Sequence, residues 1–298
     1  MRYTDLAKTG ELQERAGQAL ESLECCMLCP QACGVNRLKG ESGFCRAAAT
    51  VKVASFGPHF GEEPPLVGSG GSGAIFFAYC NLRCVFCQNY DISHLGQGSV
   101  MTISELSRVM LALQERACEN INLVTPTHYV PQILAALQQA AAGGLRIPLV
   151  YNCGSYECLE TLRLLDGVVD IYLPDTKYSD AEKALRYSGV DDYPRYMFDA
   201  LREMYRQVGD LQQDRRGVAI RGLMIRHLVL PGEIAGTAKV LRFIAEELSR
   251  ETYVNLMSQY YPAYQTRRFP EINRRPTAAE LDRALCLARE MGLTRIEY

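Results

Sequence analysis

The sequence predicts an α/β protein: a partial (β/α)6, TIM-like barrel preceded by a small N-terminal cysteine-rich metal-binding lobe. From residue 74 onward, short β-branched runs alternate with amphipathic helical stretches, the pattern of βα units and a parallel sheet. Six such runs imply an open or partial barrel rather than a closed eight-stranded one. The 298 residues suffice for one barrel-sized domain with a small appendage, and five of the twelve cysteines crowd between Cys25 and Cys45. The expected organisation is therefore a helical and cysteine-rich lobe over residues 1–68 and the barrel over 69–298.

The chain opens with Met1 to Glu24, polar and charged at helical spacing and without the apolar core of a secretory signal. Cys26, Cys29, Cys33 and Cys45 follow as C-x2-C-x3-C-x11-C, with glycines between them to turn the backbone. Four thiolates suit either closed tetrahedral zinc or a fully ligated auxiliary [4Fe-4S] cluster. Zinc makes the knuckle a staple; a cluster makes it an electron relay. C-x2-C-x3-C also occurs in cluster-binding redox proteins, which favours iron-sulfur, and Cys25 is the spare of its adjacent pair. Glu62 and Glu63 read as solvated loop acids, and Gly68 to Gly73 as a linker or as backbone close to the cysteines after the first strand.

The six expected strands are Ala74 to Tyr79, Ile121 to Val124, Ile147 to Tyr151, Val168 to Leu173, Gly222 to Leu228 and Tyr253 to Met257. Between them, Leu106, Val109, Met110, Leu113 and Ala117 recur at helical spacing, as do Val240, Leu241, Ile244 and Leu248. Capping boxes are expected at Thr102 with Glu105, Ser179 with Glu182, and Thr277 with Glu280. Cys118 and Cys286 fall in helical patterns and read as core.

Directly behind the first strand stand Cys80, Cys84 and Cys87, as C-x3-C-x2-C. Three thiolates on a tight loop can hold three irons of a [4Fe-4S] cluster and leave the fourth without a protein ligand. A structural zinc loop is the alternative, but it takes four closed ligands, and no fourth Cys or His follows closely.

Around this loop the chain resembles the radical S-adenosylmethionine (SAM) enzymes. The resemblance implies that the open iron chelates SAM, that the reduced cluster cleaves it to a 5'-deoxyadenosyl radical, and that a one-electron donor such as flavodoxin or ferredoxin supplies the electron. Asp175-x-Lys177 after the fourth strand and His227-x-Val229-x-Pro231 on the fifth resemble the activating enzymes of glycyl radical enzymes, pyruvate formate-lyase activating enzyme among them. That likeness implies that Asp175, Lys177 and His227 surround SAM, and that the hydrogen donor is a protein glycyl loop or a small molecule. The Gly-Gly-Glu turn usual after the second strand is missing; Thr125 and Thr127 stand there as alternative acceptors, with His128 either a cofactor contact or a turn histidine. Met224 matches the group's monovalent-cation site, while Asn152 replaces its acid.

Charge is nearly balanced, 32 Lys plus Arg against 34 Asp plus Glu, so bulk charge points to neither nucleic acid nor an anionic membrane. Arg267, Arg268, Arg274 and Arg275 read as a solvated loop. No apolar run reaches membrane-helix length, and the expected location is cytoplasmic, where clustered cysteines ligate metal rather than form disulfides. The substrate has no signature in the chain.

Overall fold

The computed structural model describes residues 2–298. The strands are β1 (Val51–His59), β2 (Ser72–Phe77), β3 (Ser99–Met101), β4 (Asn120–Val124), β5 (Leu149–Cys153), β6 (Ile171–Thr176), β7 (Gln212–Gln213), β8 (Ala219–Leu228), β9 (Tyr253–Met257) and β10 (Ile296–Glu297). They form an open sheet in the order β10-β9-β8-β6-β5-β4-β2-β1-β3, with β7 on the flank of β8. The six expected strands are its parallel core, β2, β4, β5, β6, β8 and β9, each paired with the next. Chain order equals spatial order because each crossover returns to the adjacent strand.

Side chains alternate across each strand, so the sheet has two differently built faces. Ile75, Phe77, Ile121, Leu123, Tyr151 and Tyr172 belong to the large core beneath the helices. Val150, Ile171, Leu173 and Met224 form a smaller apolar cluster on the concave face with Leu66, from the short helix Pro64–Val67. The Leu66 carbonyl accepts from Asn120 Nδ2 at 2.8 Å, so the segment before β2 lies across the interior that the missing strands leave open.

The first 68 residues pack against the sheet and its helices. Tyr3, Leu6 and Leu12 join the large core, Arg2 donates to Asp170 at 2.8 Å, and β1 pairs antiparallel with β2. The Gly68–Gly73 stretch is not close to the cysteines after β2: it lies at the other end of that strand. A Cβ on Gly70 would stand 1.8 Å from the Ala117 carbonyl oxygen, so glycine is demanded by close packing.

Two capping boxes form as expected, Thr102 with Glu105 and Thr277 with Glu280. The third box does not form, because the residue three on from the actual cap is Lys183. Asp180, not Ser179, caps the helix Ala181–Ser188, and the Ser179 hydroxyl donates to the Gly236 carbonyl. Cys118 is buried, whereas Cys286 is exposed on its helix.

Candidate metal and cofactor site at the strand ends

The loop after β2 begins with a turn that ordinary residues resist. Tyr79 has φ +73°, and Thr125 and Ser155, just beyond β4 and β5, have +59° and +61°. Left-handed non-glycine residues cost free energy and gather where function holds them. Here they ring one end of the sheet.

Beyond Tyr79 the cysteine loop is clamped on both sides. The Arg83 and Val85 amides donate to the Ser188 and Tyr187 carbonyls at 3.1 and 2.8 Å, and Asn81 Nδ2 donates to the Tyr156 carbonyl at 2.6 Å. Each thiol meets a polar neighbour: the Leu82 amide reaches Cys80 Sγ at 3.4 Å, the Ser188 hydroxyl reaches Cys84 Sγ at 3.0 Å, and Cys87 Sγ lies 3.0 Å from Ser93 Oγ. Burial pushes the Cys80 thiol up to about 12 and Cys84 up to about 11, while the Lys177 charge pulls both back down. Metal ligation deprotonates a thiol outright and overrides that burial.

On the concave face, β5, β6, β8 and β9 deliver a connected polar layer. Arg226 Nε donates to Asp175 Oδ1 at 2.6 Å, its Nη2 to Asn152 Oδ1 at 2.6 Å, and its Nη1 to Glu62 Oε2 at 3.3 Å. Lys177 Nζ donates to the other Asp175 oxygen at 2.7 Å, and Asn255 Nδ2 donates to Glu63 Oε1 at 2.9 Å. Burial works against the Asp175 carboxylate, but Arg226 and Lys177 outweigh it and hold its pKa below the usual range. Burial likewise opposes the Lys177 ammonium, and Asp175 together with Cys84 more than restores it. Desolvation raises the Glu62 pKa against the pull of Arg226. Glu63 Oε2 and both amide atoms of Asn122 are buried without a hydrogen-bond partner.

Of the expected site residues, Asn152, Asp175 and Lys177 are thus brought together, and the Thr125 amide joins them through the Asn152 carbonyl at 2.8 Å. His227 is not. It lies on the opposite face, fully buried, with Nδ1 on Thr176 Oγ1 at 2.9 Å and Nε2 on Thr237 Oγ1 at 3.0 Å. Thr127 is turned away too, donating to the buried Glu157 at 2.6 Å. His128 departs from the group as well, with Nε2 at 2.8 Å from the Ala78 carbonyl. The Asn152 side-chain oxygen, where the expected cation site has an acid, accepts from the Arg226 guanidinium.

Glu62 and Glu63 are the converse error: expected in solvent, they are nearly enclosed, with the Glu62 side chain only 8% exposed. The sequence signal for Arg226 was present, a charged residue inside an otherwise apolar strand run. No three His, Cys, Asp or Glu side chains among the described residues are placed to grip a single metal ion. The donor chemistry of Cys80, Cys84 and Cys87, three sulfurs with no fourth cysteine or histidine close behind them in sequence, is that of a [4Fe-4S] cluster with three protein ligands.

No protein-family model matches the chain. It is 34% identical over 281 residues to the uncharacterized protein MJ0674 of Methanocaldococcus jannaschii, covering 91% of this chain and 76% of that one. The chain belongs to the MJ0674 family. Among solved structures, it shares its fold with a radical SAM methyltransferase from Sphaerobacter thermophilus, at a TM-score of 0.52 and 15% identity. The match covers 76% of this chain and 66% of that enzyme, just under two thirds of its length. The sheet of this chain is mostly parallel and unclosed. No helix among the described residues is long and apolar enough to cross a membrane.

Proposed function

We propose that this member of the MJ0674 family is a radical SAM enzyme, with Cys80, Cys84 and Cys87 holding a [4Fe-4S] cluster. The observation that carries the reading is the placement of the cysteine loop at the end of β2 beside Lys177 and the Asp175–Arg226–Asn152 layer. Bound there, the cluster and SAM supply one-electron reductive cleavage to a 5'-deoxyadenosyl radical that abstracts hydrogen from substrate.

The chain's own residues hold and orient. Lys177 offers a cation to the SAM carboxylate, and Asp175, kept ionised by two cations, offers an acceptor for an ammonium or ribose hydroxyl. Arg226 fixes Asp175 and Asn152 in one geometry, so less order must be imposed when the cofactor arrives. Ser188 and the Leu82 amide stabilise thiolate charge, and Phe86 and Tyr260 pack behind the loop as an apolar wall.

The electron comes from an external one-electron donor of the flavodoxin or ferredoxin class. The hydrogen donor is a small molecule or a glycyl loop of a partner protein. Buried unpaired groups on Asn122 and Glu63 favour a polar small molecule.

The test is anaerobic reconstitution, reduction and addition of SAM, reading 5'-deoxyadenosine by chromatography. Formation by the native chain and none by Cys84→Ala supports the reading. Bound SAM with no 5'-deoxyadenosine in either protein refutes it.

A further inference from the structure

Cys26, Cys29, Cys33 and Cys45 line one small cavity together with Arg37 and His128. Every sulfur in it already receives an N–H. The Phe44 amide donates to Cys33 at 3.3 Å, the Ala47 amide to Cys45 at 3.5 Å, the Gln31 amide to Cys29, and Arg37 Nη1 approaches Cys26 at 3.9 Å. Such donors stabilise thiolates rather than thiols. Gly43 makes room for this arrangement, since a Cβ there would stand 2.6 Å from Cys33 Sγ.

Two buried groups ask for an occupant. Arg37 is 1% exposed, yet none of its hydrogen bonds goes to a carboxylate; they end on the Ala48 and His128 carbonyls and near Cys26. A buried guanidinium without a counter-anion is strongly unfavourable, and an anionic metal–thiolate centre supplies one. His128 gives its Nε2–H to the Ala78 carbonyl at 2.8 Å, which leaves a lone pair on Nδ1, and Nδ1 has no partner. A metal ligand or neighbour held by its second nitrogen on a backbone carbonyl has this tautomer.

We infer that this cavity binds a second iron-sulfur cluster of the [4Fe-4S] class, held by Cys26, Cys29, Cys33 and Cys45, with Nδ1 of His128 facing it. The two cysteine groups are also neighbours: His128 is bonded to Ala78, two residues before Cys80, and Gln31 Nε2 donates to the Asn81 carbonyl at 3.0 Å. The second cluster lies directly against the loop that carries the first, in the position of an electron store.

The decisive chain is Cys80→Ala/Cys84→Ala/Cys87→Ala, purified anaerobically and reconstituted, because it keeps the N-terminal site intact and cannot cleave SAM. The expected content is about four iron and about four sulfide per chain, against about eight of each in the native protein. One zinc without sulfide, or a folded chain by circular dichroism with neither metal nor sulfide, overturns the inference. If the triple variant does not fold, Mössbauer counting on native protein decides, with about four irons per chain counting against a second cluster. His128→Gln in the triple variant should retain the iron and change the electron paramagnetic resonance g values and midpoint potential; unchanged values overturn the placement of Nδ1. Failure of SAM cleavage in the native protein would leave these counts untouched.

Discussion

Asp175 on β6 and Arg226 on β8 stand in register on the concave face of the sheet, carboxylate to guanidinium at 2.6 Å. The next pair along the same two strands, Thr176 and His227, is bonded at 2.9 Å on the opposite face. One residue of register therefore separates an ion pair on the concave face from a histidine buried on the other face. Arg226, and not His227, stands beside Asp175 and Lys177.

Removing Arg226 should cost more than removing its partner contacts one at a time. In Arg226→Met the Asp175 and Glu62 carboxylates lose their shared cation in a site that solvent barely reaches, a loss of about 3–5 kcal/mol. Urea denaturation measures it, and pairing the variant with Asp175→Asn should recover part of the loss. A cost under about 1 kcal/mol would contradict the network described.

His227 should affect stability and its pH dependence, not chemistry. Burial holds its pKa down to about 4 against an ordinary 6.5. Below pH 6.5 the unfolded chain takes up a proton that the folded chain refuses until about pH 4, so stability is lost as the pH falls through that window. The loss from this group is on the order of 3 kcal/mol. His227→Gln should show a shallower acid decline in denaturation midpoints while still forming 5'-deoxyadenosine.

Glu157 works in the opposite sense over an overlapping range. It accepts from Thr127 and Tyr151 in full burial, and desolvation raises its pKa to about 7 from 4.5. The folded chain keeps a proton there that the unfolded chain releases above pH 4.5, so stability falls as the pH rises toward 7. Glu157→Gln should remove that decline and be the more stable protein at pH 8, by an amount on the order of 1–3 kcal/mol. Equal slopes in the two proteins would show that Glu157 stays ionised when folded.

Ser188→Ala should leave the proposed cluster at Cys80, Cys84 and Cys87 in place and make it harder to reduce. Tyr178 and Ser188 hydroxyls are 3.0 Å apart, and Ser188 donates on to Cys84. A hydrogen bond to a ligating sulfur favours the more negative, reduced state, so its loss lowers the midpoint potential. A redox titration followed by electron paramagnetic resonance, with iron content measured in parallel, reads both effects. A raised or unchanged potential would rule out that polarity for the bond.

Much of the architecture was legible because it is written locally. The apolar runs that became β2, β4, β5, β6, β8 and β9 follow from period-two and β-branched patterning, and Thr102 and Thr277 announce their helices through a glutamate three residues on. The strand β1 was missed because its pattern is irregular: it carries a bulge between Val53 and Ser55 and ends in Gly57-Pro58-His59. Glu62 and Glu63 were misread because nothing near them in sequence says that Leu66 will anchor their segment across the concave face.

By itself the sequence determined the parallel αβ order, the open sheet and two cysteine groups with soft-metal spacing, all of which depend on residues close along the chain. Tertiary structure decided which side chains meet: Arg226 rather than His227 beside Asp175, Glu62 and Glu63 inside rather than out, and His128 against the N-terminal cysteines. The physical reason is strand parity. Neighbouring residues on a strand point to opposite faces, so a shift of one position in register exchanges the site for the core, and only long-range pairing sets that register.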